Sequence, residues 1–184
     1  MPRPKTISDE DVLAAALEVL AEKGADFTLS DLALQIGLAR ATLIQRFGDR
    51  DAIILRIATY EAEVTRNWLA GLPVEVGWDG VWRFLEAIVG GMGDGEGFSA
   101  RVTLAALEAR HAGLRELAYQ RYALVQDAIA ARLPDVPERA RIAQHLHTVI
   151  AGASMHWIVT DRSIGLSEFI LERLRWTLGR VRYG

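Results

Sequence analysis

Apolar residues recur at helical spacing from one end of the chain to the other, and nowhere do they alternate in the way a half-buried strand requires. Val12, Ala15, Ala16, Val19 and Leu20 form a first stripe, widened by Leu13 and Leu17. Ser8-Asp9-Glu10-Asp11 precedes it, an N-cap followed by acids that suit the positive end of a helix dipole, and Gly24 is its natural stop. Thr28-Leu29-Ser30-Asp31 is a second capping signal. Leu32, Ala33 and Ile36 then give the inward side of a helix of about two turns. Gly37 permits the positive φ of a sharp reversal. A second short helix follows over Arg40–Phe47, with Leu43 and Phe47 inward at i, i+4.

Further along, Asp49 caps a helix carrying Ala52, Ile53, Ile57 and Tyr60 and running to about Ala70, where Gly71-Leu72-Pro73 ends it. Trp78-Asp79 opens a helix with Val81, Trp82, Leu85, Ile88 and Val89. Residues 90–97, GGMGDGEG, are five-eighths glycine and therefore a loop. Helices are expected over Phe98–His111, over Leu114–Leu133, from Pro137 in a first turn to about Asp161, and over Ser167–Val181. The pattern predicts an all-α protein of about nine helices. Its N-terminal part is a three-helix helix-turn-helix unit, residues 1–50, and the helical remainder, 51–184, is a second domain.

Composition narrows the functional classes. With 184 residues, 51% of them hydrophobic, the chain can bury a real core. It has no cysteine, which excludes disulfides and thiolate metal sites and fits the cytoplasm. No uninterrupted apolar run has the length of a membrane span, and MPRPKTISDEDV lacks the apolar core of a signal peptide. The net charge of −3 argues against a protein that coats nucleic acid. A local reader is different, because Ala39–Arg50 holds three Arg and one Asp. Two short helices about a glycine turn are the signature of an element that enters a DNA groove. Arg40 can donate twice to guanine O6 and N7, and Gln45 can pair with adenine N6 and N7. Thr42 offers a hydroxyl to phosphate and a methyl to thymine, Arg46 serves either base or phosphate, and Thr28 and Arg50 lie at helix starts suited to phosphate. The basic terminus, residues 1–6, is either a frayed end or a phosphate contact.

Other chemistry is poorly supported. His145 and His147 point nearly opposite ways on a helix, while His145 and His156 share a face but lie about 16 Å apart by helical rise. No metal site and no cofactor is expected, and the glycine loop, which follows no strand and precedes no Lys-Ser/Thr, is no phosphate cradle. No nucleophile–base pair or carboxylate pair suggests an enzyme.

Phe27-Thr28-Leu29-Ser30-Asp31-Leu32-Ala33, Gly37-Leu38-Ala39-Arg40-Ala41-Thr42-Leu43 and Phe47-Gly48-Asp49-Arg50-Asp51-Ala52-Ile53 together resemble the TetR family of bacterial transcriptional repressors. The likeness is specific over about residues 8–57 and architectural beyond. It implies a homodimer on a palindromic double-stranded operator, with Thr28, Arg40, Ala41, Thr42, Gln45, Arg46 and Arg50 at the DNA. It also implies a largely apolar small-molecule effector bound by the second domain, for which Trp82, Phe84, Met92 and His111 are the candidates. The dimer surface is expected on the last two helices at Ala153, Trp157, Ile170, Leu174 and Leu178. Ala39 and Ile44 depart from the family, which often has a small polar residue at the first and an aromatic at the second. The alternative is an all-α ligand-binding or enzymatic protein with no DNA role.

Overall fold

The computed structural model describes residues 7–93, 95 and 98–183, so the basic arm and Asp94, Glu96 and Gly97 of the glycine loop lie outside the described residues. Among those described there are nine α-helices and no strand. They are α1 (Asp9–Lys23), α2 (Leu29–Ile36), α3 (Arg40–Phe47), α4 (Arg50–Ala70), α5 (Trp78–Gly90), α6 (Phe98–Arg110), α7 (Ala112–Arg132), α8 (Arg139–Ile158) and α9 (Leu166–Tyr183), with a 3-10 turn at Gly24–Asp26.

The helix ends follow local chemistry. Ser8 and Asp11 close a full capping box on α1, with both reciprocal bonds at 3.0 Å. Two expected ends are corrected. Pro137 precedes α8 rather than sitting in its first turn. Glu138 adopts a left-handed conformation (φ 58°) before the helix starts, and Arg139 reaches back to the carbonyls of Ala130 and Leu133 at the end of α7. At the other end α8 stops at Ile158, because the Thr160 hydroxyl and amide both bond the Trp157 carbonyl and close the last turn.

Packing separates two compact units, Met1–Val64 with Gly97–Tyr119, and Thr65–Glu96 with Gln120–Gly184. This differs from a division at residue 50, and the reason is core size. With eight residues each, α2 and α3 supply few buried side chains, namely Leu29, Leu32, Ala33, Leu43 and Phe47. Ile53, Ile54, Ile57 and Ala58 of α4, Leu104 and Leu107 of α6, and Leu114 complete one core with Val12, Ala16 and Leu20 of α1.

In the second unit α9 packs against α8 and α5. Val81, Leu85, Ile129, Leu146, Ile170 and Leu174 are its centre. Arg132 is buried there too. Its guanidinium donates to the carbonyls of Leu72, Pro73 and Ala128 at 2.6–3.2 Å and stacks 3.8 Å from the Phe84 ring centroid. These bonds tie the α4–α5 connection to the end of α7 without any carboxylate. No described helix is long and apolar enough to cross a membrane.

Candidate nucleic-acid interface

α3 is held by Leu43 and Phe47, both buried, and the remaining side of the helix turns outward. Arg40, Ala41, Ile44 and Gln45 are exposed, whereas Thr42 and Arg46 are half-buried. The entry to α3 is set by Gly37, left-handed at φ 68°, with the Leu38 amide returning to the Ala33 carbonyl at 3.1 Å. Ala39 supplies no side-chain cap.

Thr28, Arg40 and Arg50 converge. With Asp26, Phe27, Leu29, Ser30 and Asp49 they line an open concavity of about 570 Å³. Arg50 lies over Phe27, 5.2 Å from the ring centroid, and bonds Asp51 at 3.1 Å, while its Nε is buried without a partner among the described residues. Asp49 is occupied at the start of α4, where Oδ1 accepts the Ala52 amide at 2.8 Å. Two guanidinium groups and the amino end of α2 thus face a shallow basin wide enough for a phosphate.

Thr28 plays a different part from the one its position suggests. Its hydroxyl accepts the Asp31 amide at 3.2 Å and donates to Asp31 Oδ2 at 2.7 Å, and its own amide bonds the same oxygen at 2.8 Å. The hydroxyl bond first, the amide bond next and then the charge of Lys23 hold the Asp31 carboxyl below the usual carboxylate range. The single hydroxyl proton is therefore committed to the cap, and Thr28 positions α2 rather than offering a free donor.

Arg46 stands apart from the basin. Its Nε and Nη2 both donate to Asp9 Oδ1, the first at 3.1 Å, and its guanidinium lies 5.3 Å from the Phe47 ring centroid. Neither Asp9 nor this pairing was foreseen, since an acid in a first helical turn reads as a partner of the dipole.

The four effector candidates are dispersed. Trp82 is half-buried beneath Arg175, Phe84 is buried beneath Arg132, and Met92 is half-buried, all in the second unit. His111 is exposed and belongs to the first unit. A cavity of about 110 Å³ lined by Leu72, Pro73, Glu75, Gly80, Arg83, Phe84 and Ala87 takes in Phe84 alone of the four. It is smaller than the roughly 300–1,000 Å³ typical of ligand pockets. A polar cluster that the spacing did not single out lies between α7 and α8. The Gln126 amide is 3.3 Å from His147 Nδ1, and the Tyr122 ring meets the imidazole edge-on at 4.8 Å.

Of the residues expected at a dimer surface, Ala153, Trp157, Ile170 and Leu174 are buried in the second unit's own core and Leu178 packs against its margin. The outward positions of the same helices carry Met155, Val159 (80% exposed) and Trp176 (67% exposed).

A short helix, a left-handed glycine and a second helix turned outward over a basic basin define a helix-turn-helix DNA-binding domain. Residues 12–57 match the family model of the bacterial regulatory proteins of the tetR family. Solved structures agree on the fold of the whole chain. The TetR-family transcriptional regulator PfmR of Thermus thermophilus superposes with a TM-score of 0.64 at 16% identity, over 91% of this chain and 97% of its own. The multidrug binding protein EbrR, solved with imidazole, gives 0.67 at 21% identity over 96% of both chains. The transcriptional regulator FadR of Bacillus subtilis, solved with stearoyl-CoA, gives 0.67 at 15% identity, over 93% of this chain and 98% of its own. No curated protein matches the sequence. Through its N-terminal domain the chain belongs to the tetR family of bacterial regulatory proteins, and its helices carry the fold of that family's transcriptional regulators.

Proposed function

We propose that the protein is a ligand-responsive transcriptional repressor of the cytoplasm that binds a palindromic operator as a homodimer and leaves it when a small molecule binds. The observation that carries this reading is the outward face of α3, where Arg40, Ala41 and Gln45 stand exposed above two buried anchors. In this scheme residues 1–50 read DNA, and residues 51–184 dimerise and sense the effector. Arg40 and Gln45 take base edges, with Ala41 against them and the Thr42 methyl on thymine. Arg50, on the basin beside the α2 cap, takes phosphate, and Arg46 is available to either.

A gel shift with the DNA upstream of the protein's own coding region tests the scheme. Specific, salt-sensitive retardation supports it, and the absence of retardation on any operator favours an all-α ligand-binding or enzymatic protein instead. Within it, Arg40→Ala is expected to weaken operator binding by roughly 1–3 kcal/mol and to relax preference at one base position. A binding-site selection returning the wild-type motif from that variant removes the base-reading role.

For dimerisation we assign the outward faces of α8 and α9, with Met155, Val159 and Trp176 in contact across the two-fold axis. Gly152 and Gly179 stand exposed on these helices with open space at the Cβ position, so a partner helix can come close. Trp157, Ile170 and Leu174, with Ala153 and Leu178, then support the interface from behind. Trp176→Glu is expected to give a folded monomer in light scattering at micromolar concentration, with helical circular dichroism retained. A dimer that survives the charge places the contact elsewhere.

The effector is assigned an apolar character from the cores of α5, α8 and α9, with Trp82, Phe84 and Met92 as candidate contacts and His111 as a polar one. The organic ligands held by EbrR and FadR show that this fold accommodates such molecules.

A further inference from the structure

Asp9 is the first residue of α1, yet its carboxylate serves two other helices. Oδ1 takes both Nε and Nη2 of Arg46 from α3, and Oδ2 takes Nη1 of Arg56 from α4 at 3.5 Å. Both guanidinium groups lie over the Phe47 ring, 5.3 and 5.0 Å from its centroid. The Nε–Nη2 edge that Arg46 gives to Asp9 is the edge an arginine uses in a side-on grip of a phosphate or a guanine. A carboxylate on that edge therefore competes directly with DNA. Arg40, six residues earlier on the same helix, pairs with no acid among the described residues.

We propose that Asp9 is an internal substitute for a DNA phosphate, which keeps Arg46 off the duplex and sets the protein's affinity and salt dependence below what α3 could deliver. The inference rests on the reading of α3 as the DNA-contacting helix. The pair is suited to competition because it is accessible: the Asp9 side chain is 55% exposed and that of Arg46 27%. Ion pairs so placed hold weakly in water. They still deny the cation to weak, sequence-indifferent phosphate contacts, which are the contacts that make non-specific binding strong. Asp9 thus favours discrimination over grip. Arg56, on the second oxygen, is released with Arg46 when the carboxylate is lost.

The test is fluorescence anisotropy on a labelled 30-base-pair duplex of mixed sequence, read over a salt series. Asp9→Asn is expected to bind about three- to tenfold more tightly at low salt, with the slope of log K against log salt steeper by about one, the value of one added phosphate contact. Glu10→Gln removes the same charge from the neighbouring position of the same turn and is expected to leave the slope at the wild-type value. In an Arg46→Gln background, Asp9→Asn is expected to lose its steepening. If wild type and Asp9→Asn bind with the same slope, or the variant binds more weakly, the inference is overturned while DNA binding stands. Steepening that persists without Arg46 overturns the assignment to that residue. If neither protein shows salt-dependent binding to this or any other duplex, the DNA-binding reading falls and the inference falls with it.

Discussion

Trp157→Ala is expected to lower the free energy of unfolding by about 3–5 kcal/mol, the loss characteristic of a large aromatic removed from a core. Domains of this size are stable by about 5–15 kcal/mol, so the loss is a large share of the total. Trp157 lies in the second unit's core with Leu146, Ile170 and Leu174, and its indole Nε1 donates to the Ile164 carbonyl at 2.8 Å. Truncation leaves a cavity and an unpaired carbonyl in the turn leading to α9. Urea denaturation followed by circular dichroism measures the loss. A residue whose contacts lay only across a subunit interface would behave differently: its truncation would yield monomers that unfold like the wild-type monomer. A loss below about 1 kcal/mol accompanied by dissociation would move Trp157 from the core to the interface.

Acid should destabilise the protein through His147. Burial, with the charge of Arg121 added, pulls its imidazole down to about 4, against 6.5 for a free histidine. The Gln126 amide beside Nδ1 suits the neutral ring, with the proton on Nε2. The folded state therefore binds the proton less readily than the unfolded chain. Above pH 6.5 both states are neutral and the full stability is present. As pH falls from 6.5 toward 4 the unfolded chain takes up the proton first, and stability is lost across that window. The gap amounts to on the order of 3 kcal/mol. Urea titrations at pH 7, 5.5 and 4 on wild type and His147→Gln measure it, since glutamine does not titrate. Wild type should lose stability relative to the variant by that order between the first and last pH. Parallel curves would mean that His147 charges in the folded state as easily as in the open chain.

The parts of this protein that could be read along the chain are those settled within a few residues. The capping boxes at Ser8 and Thr28, the left-handed Gly37, and the i, i+4 pair Leu43 and Phe47 all fold as their spacing predicts. What spacing leaves open is the identity of the partner. Trp157, Ile170 and Leu174 form an apolar stripe that is equally good against a second subunit or against α5, and the latter is what they meet. The same ambiguity affects Arg46, whose acid lies 37 residues earlier, and Arg132, an arginine three positions beyond Ile129 in a buried stripe. Arg132 is compatible with burial only because three carbonyls from two segments converge on it, a fact that no local window contains. The effector candidates were chosen as aromatic or polar residues near the middle of the chain, and chain position says little about which of them share a wall.

Ala39 has an effect on how the DNA-binding surface can be mapped. Because its methyl group caps nothing, the first amides of α3 are left for whatever approaches that end of the helix. A phosphate held there would be held by main chain. Side-chain truncation through Arg40–Phe47 would pass over that contact, and the affinity apportioned among those residues would fall short of the whole. Backbone chemistry, such as an ester in place of the amide at Ala41, would reveal the remainder.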